Sequence, residues 1–189
     1  MIRTLLAGAA CAALLAACQQ ERSPEVVDKA QDMAAAPVGQ MSAATLGANT
    51  QEAYISNAAE GDMYEIMAAD IALERTQNAQ IRELAQMIKT DHTAASNAMK
   101  AMLPQAAPEA EVPNALDERR QGMIDNLRSA SAETFDRTYI DQQVAAHQEA
   151  LTLHRGFADS DSPLAAHARS VAPKIEAHLQ RAQQIQSSM

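Results

Sequence analysis

Apolar residues recur every three or four positions along most of the chain from residue 50 onward, which is the spacing of amphipathic helices. Residues 50–103 contain no proline and a single glycine, and the apolar pattern breaks only just before Asn78. We therefore predict one helix that begins after Asn49 or Thr50 and a second that begins at Asn78, because these side chains cap helix N-termini. The second helix should end before Pro104, since the residue preceding a proline avoids the helical region.

The apolar pattern resumes after a loop that contains three prolines, residues 104–113. It predicts a third helix from Asn114 to about residue 158, with a bend or break near residues 129–132. Ser162 and Pro163 then suit the start of a fourth helix. No alternating pattern typical of strands appears in the sequence. The expected fold is all-α, an antiparallel four-helix bundle over residues 50–189.

The N-terminal segment has the pattern of an export signal. Arg3 is the only charged residue before Glu21, and the apolar run at 5–17 has 13 residues, fewer than the roughly 17–25 that span a bilayer. Leu15-Ala16-Ala17-Cys18 resembles the lipobox of bacterial lipoproteins. That resemblance implies cleavage before Cys18 and lipidation of its thiol; the alternative is an ordinary signal with an accidental cysteine.

This interpretation divides the chain into a signal peptide at 1–17, a lipidated Cys18 with a flexible tether at 18–49, and the bundle at 50–189. The protein is then held in the bacterial cell envelope through its lipid. Gln19 resembles the enterobacterial sorting pattern of outer-membrane lipoproteins, which implies the periplasmic face of the outer membrane over the inner membrane. Cys11 is removed with the signal, so the mature chain has no free thiol for a disulfide or a thiolate metal site.

Net charge argues against one class of partner, and aromatic content argues against one class of fold. The formal charge is −9, which argues against a nucleic-acid partner because phosphate binding needs a basic surface. The chain has no tryptophan and only five tyrosines and phenylalanines in all, so it lacks the aromatic residues on which all-β folds depend.

Histidines occupy positions where the helical pattern calls for an aliphatic side chain. His92, His147 and His178 fall on apolar seams of three different predicted helices, and Glu65 lies on a face of small residues in the first. Counting residues from the predicted turns leaves axial mismatches of roughly 7 Å between these groups. A single metal held by the four residues would suit zinc, copper or iron. The alternative is half-exposed histidines and a solvated glutamate.

A second polar cluster is predicted near the turn at residue 160. His154 and His167 both lie about six residues from that turn on neighbouring helices. We group Asp91 and Tyr139 with them as further polar residues of the predicted helices.

Four short motifs follow one another on the four predicted helices. They are Gly61-Asp62-Met63-Tyr64-Glu65, Thr90-Asp91-His92-Thr93, Phe135-Asp136-Arg137-Thr138-Tyr139 with His147-Gln148, and Glu176-Ala177-His178-Leu179. Over residues 51–185 the chain resembles the bacterial family known as domain of unknown function 4142. The resemblance implies a ferritin-like four-helix bundle, often secreted or lipid-anchored. It implies no catalytic residues, since the family has no established activity.

The sequence argues against the di-iron centre that a ferritin-like fold suggests. Such centres use Glu-x-x-His pairs, and no carboxylate stands three residues before any histidine of this chain. Two methionine pairs at helical spacing, Met63 with Met67 and Met99 with Met102, offer a copper(I) alternative, although methionine at this spacing is also ordinary core filler.

Two classes of function follow from these patterns. The sequence contains no P-loop, no Gly-x-Gly-x-x-Gly and no Gly-x-Ser-x-Gly motif. We therefore favour a non-catalytic binding or structural module of the envelope over an enzyme. The alternative is an envelope metal-binding protein that uses the seam histidines, in metal handling or oxidative stress.

Overall fold

A computed structural model of the protein describes residues 50–189. Over this range all regular secondary structure is helical. The predicted signal peptide, Cys18 and the tether lie outside the described residues. The five helices are α1 (Gln51–Arg75), α2 (Ala79–Ala106), α3 (Glu118–Ser129), α4 (Ala132–Ala158) and α5 (Ala165–Ser188).

The four long helices α1, α2, α5 and α4 form a ring in which each packs against the next. Polar contacts fix their directions. Gln51 Nε2 donates to the Ala106 carbonyl at 3.1 Å, so α1 begins where α2 ends. Tyr64 donates to Gln142 at 2.9 Å, in the first half of α4, whereas Tyr54 reaches His154 near the end of that helix. Neighbouring helices are therefore antiparallel, and the all-α bundle is as predicted.

The third predicted helix is in fact two helices. α3 packs against α1 and α4, and the chain then turns at 130–131 into α4. Arg75 Nη2 donates to the Ala130 carbonyl at 2.6 Å and secures this turn to the end of α1. α3 thus carries the chain back along the outside of the bundle, so that α2 and α4 run in the same direction at diagonal positions of the ring.

Capping side chains set where most helices begin. The Thr50 hydroxyl accepts from the backbone N–H of Ala53 at 3.2 Å, and Asn78 Oδ1 accepts from Gln80 N at 2.9 Å, both as predicted. Each satisfies a backbone donor that has no partner inside its helix.

Three predicted boundaries are wrong. The third predicted helix begins at Glu118 rather than near Asn114, because Asp117 supplies the cap and accepts from Arg120 N at 2.6 Å. α2 continues past Pro104 to Ala106. α5 begins at Ala165 instead of Pro163, since the Ser162 hydroxyl oxygen accepts from Leu164 N within the preceding turn.

Two hydrophobic clusters fill the two ends of the bundle, and a polar layer lies between them. One cluster includes Ile81, Leu84, Leu127 and Ile140, and the other includes Ile55, Met99 and Phe157. Buried polar groups cost free energy unless they are paired, so the side chains of the polar layer need hydrogen-bond or ionic partners within the bundle. None of the helices described in residues 50–189 combines the length and the hydropathy that a membrane span requires.

Candidate metal centre

The polar layer draws buried titratable side chains from all four helices of the ring. Its imidazoles are those of His92 on α2, His147 on α4 and His178 on α5, each at most 4% exposed. One ring nitrogen of each lies within 4.8 Å of the others. We call these three residues the three-histidine cluster. α1 contributes the buried carboxyl groups of Asp62 and Glu65.

Two nitrogens of this cluster face each other directly. His147 Nε2 lies 3.3 Å from His178 Nδ1. With metal–nitrogen bonds of about 2.0–2.1 Å, two ligands of a tetrahedral zinc site lie about 3.4 Å apart. The separation therefore equals that of two ligands of one metal ion.

Hydrogen bonds determine which nitrogen of His147 carries the proton. His147 Nδ1 lies 2.9 Å from the Gln143 carbonyl oxygen, and a carbonyl oxygen only accepts. Nδ1 is therefore the donor. Burial, together with the charges of His92 and His178, holds the pKa of His147 well below its ordinary value. The ring is neutral, so Nε2 presents a lone pair to His178.

The same reasoning applies to His178. Its Nε2 lies 3.0 Å from Asp91 Oδ2. Burial raises the pKa of Asp91, but hydrogen bonds from Lys174 and His178 outweigh burial and lower the pKa below its ordinary value. Asp91 is therefore ionised and accepts the hydrogen bond from His178 Nε2. Burial and the charge of His92 lower the pKa of His178 to about 4. A neutral ring that donates from Nε2 has its lone pair at Nδ1. Two lone pairs thus face each other across 3.3 Å.

His92 offers the third nitrogen. Its Nδ1 lies 2.8 Å from Asp62 Oδ1 and donates to that carboxylate, whereas its Nε2 is buried without a hydrogen-bond partner. Burial disfavours the charged ring, but the hydrogen bond to Asp62 and the charge of Glu65 raise the pKa of His92 above its ordinary value. In the metal-free protein, His92 is therefore the histidine of the cluster that most readily takes a proton.

Glu65 approaches the cluster from behind His147. Its Oε1 lies 3.5 Å from His147 Nδ1, on the side away from His178, and its Oε2 has no hydrogen-bond partner. Burial raises the pKa of Glu65 to about 7, with the charge of His92 acting in the opposite direction. The structure thus brings Glu65 next to the three histidines, but its carboxylate is not among the mutually close ligand atoms.

A separate group of buried polar residues lies closer to the turn at residue 160. The Tyr54 hydroxyl is 2.7 Å from His167 Nδ1 and 3.0 Å from His154 Nδ1. His167 Nε2 donates to the Ala95 carbonyl at 3.0 Å, so His167 Nδ1 accepts the single tyrosine proton. His154 Nδ1 must then donate to the tyrosine oxygen. We call Tyr54, His154 and His167 the Tyr54 cluster.

The protonation states of the Tyr54 cluster agree with this pattern. Burial raises the pKa of Tyr54, so its hydroxyl keeps its proton. Burial and the neighbouring charge of His167 lower the pKa of His154 to about 3. Tyr54 and His154 are therefore neutral, and every nitrogen or oxygen that joins the three residues has a hydrogen-bond partner.

The structure separates the residues that the sequence grouped around His154. His154 and His167 meet as a pair, whereas Asp91 lies beside His178 in the other cluster. The Tyr139 hydroxyl is buried in the hydrophobic end of the bundle without a partner. Sequence reasoning did not single out Asp62 or Tyr54. Asp62 lies one helical turn before Glu65, and that spacing was the available signal.

A cavity of about 70 Å³ lies between α1 and α4 and is covered in part by α3. Asp62, Glu65 and His92 line it, and so does His154 of the Tyr54 cluster. Arg120 of α3, only 8% exposed, bonds to Glu60 and Glu149 beside the cavity. The cavity therefore extends between the two clusters along the inner side of α1.

Comparison with solved structures supports the fold. The chain is similar to a crystal structure of a DUF305 fragment from Deinococcus radiodurans, with a TM-score of 0.65 and 17% identity over 75% of this chain and 99% of that one. No curated protein matches the chain. The sequence profile of the family described as domain of unknown function DUF4142 matches residues 35–185. The protein therefore belongs to the DUF4142 family.

Proposed function

We propose that this protein binds one divalent transition metal ion through His92, His147 and His178. The observation that carries the proposal is the 3.3 Å separation of His147 Nε2 and His178 Nδ1, two nitrogens to which the hydrogen bonds on the other side of each ring assign lone pairs. Two lone pairs at this distance repel, and a cation between them replaces the repulsion with two coordinate bonds. The unpartnered Nε2 of His92 supplies the third ligand.

The surroundings of the histidines support the same function. The outer nitrogen of each ring donates to an oxygen: His92 to Asp62, His178 to Asp91 and His147 to the Gln143 carbonyl. Protein metal sites use such acceptors to fix the tautomer and direction of each ligand. A core that needed only packing specificity would gain nothing from three rings that each bring a nitrogen within 4.8 Å of the others.

The ligand set indicates which metals fit. Three neutral imidazoles suit zinc, copper or iron, and three protein ligands leave a fourth position open. Glu65, which the sequence grouped with the histidines as a fourth ligand, is in this proposal the residue that orients His147, because its carboxyl group lies at the Nδ1 side of that ring. Coordination by Glu65 itself would require its side chain to swing around His147.

The proposed compartment is the cell envelope. The lipobox-like residues ending at Cys18 support a lipid anchor, and a tethered metal-binding bundle suits metal handling or protection from oxidative stress on the periplasmic side. Metabolic labelling with a palmitate analogue should mark the wild-type protein and leave Cys18→Ser unlabelled. Equal labelling of both, or none, would remove the anchor from the proposal without affecting the metal site.

Elemental analysis combined with titration tests the metal site. The protein, purified without a histidine tag and stripped with a chelator, should bind zinc, copper or iron with one-to-one stoichiometry. A His92→Ala, His147→Ala double variant should lose this binding. If the wild-type protein binds none of the three metals, the polar layer is structural, and the protein is a non-catalytic module whose buried polar groups specify its packing.

A further inference from the structure

The three-histidine cluster is enclosed, so an ion needs a route to it. Two sides of the cluster come near solvent. On one side, Asp91 is 25% exposed and lies next to His178. On the other side, the cavity between α1 and α4 reaches His92.

The Asp91 side is closed to a cation by charge. Lys174 Nζ lies 2.6 Å from Asp91 Oδ1, and His178 occupies the other oxygen of the same carboxylate. An arriving cation would have to displace this ammonium group before reaching His178. Both carboxylate oxygens are already engaged, so this side offers no free acceptor.

The cavity side has free acceptors at its inner end. Asp62 Oδ2 and Glu65 Oε2 are buried without hydrogen-bond partners, and the two residues are only 4% and 3% exposed. His154, at another part of the lining, donates through Nδ1 to Tyr54, which leaves a lone pair on its Nε2. The nitrogen and the two oxygens accept hydrogen bonds; Glu65, with a pKa of about 7, does so in its ionised form. They match the water ligands of a hydrated cation, since such waters only donate.

Carboxyl groups outnumber guanidinium groups along the cavity, where Asp62, Glu65 and Glu149 line it together with Arg119 and Arg120. Arg119 and Arg120 line it, but Glu149 is within 2.8 Å of Arg119 and 3.2 Å of Arg120. Arg120 is also paired with Glu60 and Asp117. Each guanidinium group of the lining is thus paired with carboxylates, which offset its positive charge where a cation would pass.

We infer that the cavity between α1 and α4 is the route by which the metal ion reaches the three-histidine cluster, with Asp62 and Glu65 receiving the ion before His92 does. This inference rests on the proposed metal binding. In this inference, the unpartnered carboxyl oxygens of Asp62 and Glu65 bind the ion during its passage, and the three histidines remain its final ligands. A route affects the rates of loading and release by the same factor and leaves their ratio, the dissociation constant, as it was.

Two glycines allow the route to be blocked without distorting the bundle. Gly61 on α1 and Gly156 on α4 both line the cavity, and a Cβ added at either meets no atom within 4 Å. Leucine is also the better helix former, so Gly61→Leu and Gly156→Leu should fold. Gly122→Leu is the matched control, because Gly122 has the same open space but does not line the cavity.

The experiment measures zinc loading and release by stopped flow. Zinc is mixed with the metal-free protein in the presence of a chromophoric chelator, and release is followed after adding excess EDTA. In Gly61→Leu and Gly156→Leu both rates should fall by about tenfold, as expected when access requires an additional conformational change. The dissociation constant should not change, and Gly122→Leu should behave as the wild type.

Three results would overturn the inference, and they differ in whether they also overturn the proposed metal site. Wild-type rates in both cavity variants, with zinc still bound one-to-one, would show that the ion enters elsewhere and would leave the proposed metal site intact. A weaker affinity with an unchanged loading rate would do the same, since it would mark the cavity as part of the binding site instead of a path. Absence of zinc binding by the wild-type protein would overturn both proposals.

Discussion

The bundle contains two clusters of buried histidines, which differ in whether every ring nitrogen that faces the cluster has a complementary hydrogen-bond partner. In the Tyr54 cluster, every nitrogen or oxygen that joins Tyr54, His154 and His167 faces a complementary group. In the three-histidine cluster, two lone pairs face each other and His92 Nε2 has no partner. Burial of histidine is therefore not in itself a sign of a metal site. What indicates a metal site is that nitrogens of several rings lie close together and have no hydrogen-bond donor as a partner.

The largest expected difference between the clusters is in their response to metal. Zinc at a hundred times its dissociation constant should stabilise the wild-type protein by about 2.7 kcal/mol. A His154→Gln, His167→Gln variant should keep this stabilisation, whereas His92→Ala, His147→Ala should lose it. Thermal unfolding with and without zinc measures both. A zinc response that disappears in the Tyr54-cluster variant would reverse the assignment.

A smaller effect should follow from the carboxylate behind His178. Asp91→Asn keeps the size of the side chain but removes the charge that fixes the proton on His178 Nε2, at 3.0 Å. Losing such an outer acceptor typically lowers metal affinity by about 10–100-fold. Asp141→Asn is the control, because Asp141 is an exposed carboxylate that bonds to Gln186. Equal zinc affinities for the two variants by competition titration would contradict the role of Asp91.

The Tyr54 cluster should respond to loss of a hydroxyl through stability alone. Tyr54→Phe leaves both His154 Nδ1 and His167 Nδ1 without a partner, and a buried unsatisfied group costs about 1–3 kcal/mol. Tyr139→Phe removes a buried hydroxyl that has no partner, so it should cost nothing or stabilise the protein. Urea unfolding of the two variants provides the comparison. Equal destabilisation would mean that the tyrosine–histidine bonds contribute no stability.

The smallest expected effect is the response to acid, and it too should separate the clusters. An unfolded histidine takes up a proton below about pH 6.5, whereas folded His154, with a pKa of about 3, does not. The unfolded state then binds more protons, so stability falls as the pH falls from 6.5. His147 and His178 act in the same direction, but the raised pKa values of His92 and Glu65 oppose them.

His154 is thus the contributor without an opposing neighbour in its own cluster. The metal-free protein should lose on the order of 1 kcal/mol between pH 7.5 and 5.5, and His154→Gln should remove most of that loss. Urea unfolding at the two pH values, with chelator present, measures it. A loss of the same size in the His154→Gln variant would place the pH dependence in the three-histidine cluster instead.

The sequence predicted the fold because helix formation leaves local signals. Helical periodicity and the caps at Thr50 and Asn78 located α1 and α2, and counting from the turn near residue 160 predicted that His154 and His167 lie near each other. The separate helix α3 was anticipated only as a bend near residues 129–132. Its path depends on packing against α1 and α4 and on the contact from Arg75 to Ala130, which no local pattern encodes.

The site was less accessible to sequence reasoning. Seam positions indicated that His92, His147 and His178 point inward, but axial counting left roughly 7 Å of uncertainty in their spacing. Closing that gap depends on how each helix is rotated about its own axis. The same rotation decides that Asp62 supports His92 and that Glu65 lies behind His147. These properties arise from packing between helices and cannot be derived from spacing along one of them.

Crystallographic location of the metal tests the central claim most directly. Crystals of the zinc-loaded protein, measured above and below the zinc absorption edge, should show one strong anomalous peak inside the bundle. It should lie about 2.0–2.1 Å from His147 Nε2, His178 Nδ1 and His92 Nε2, with no peak at the Tyr54 cluster. Zinc found only at surface carboxylates, or coordinated by His154, would contradict the account.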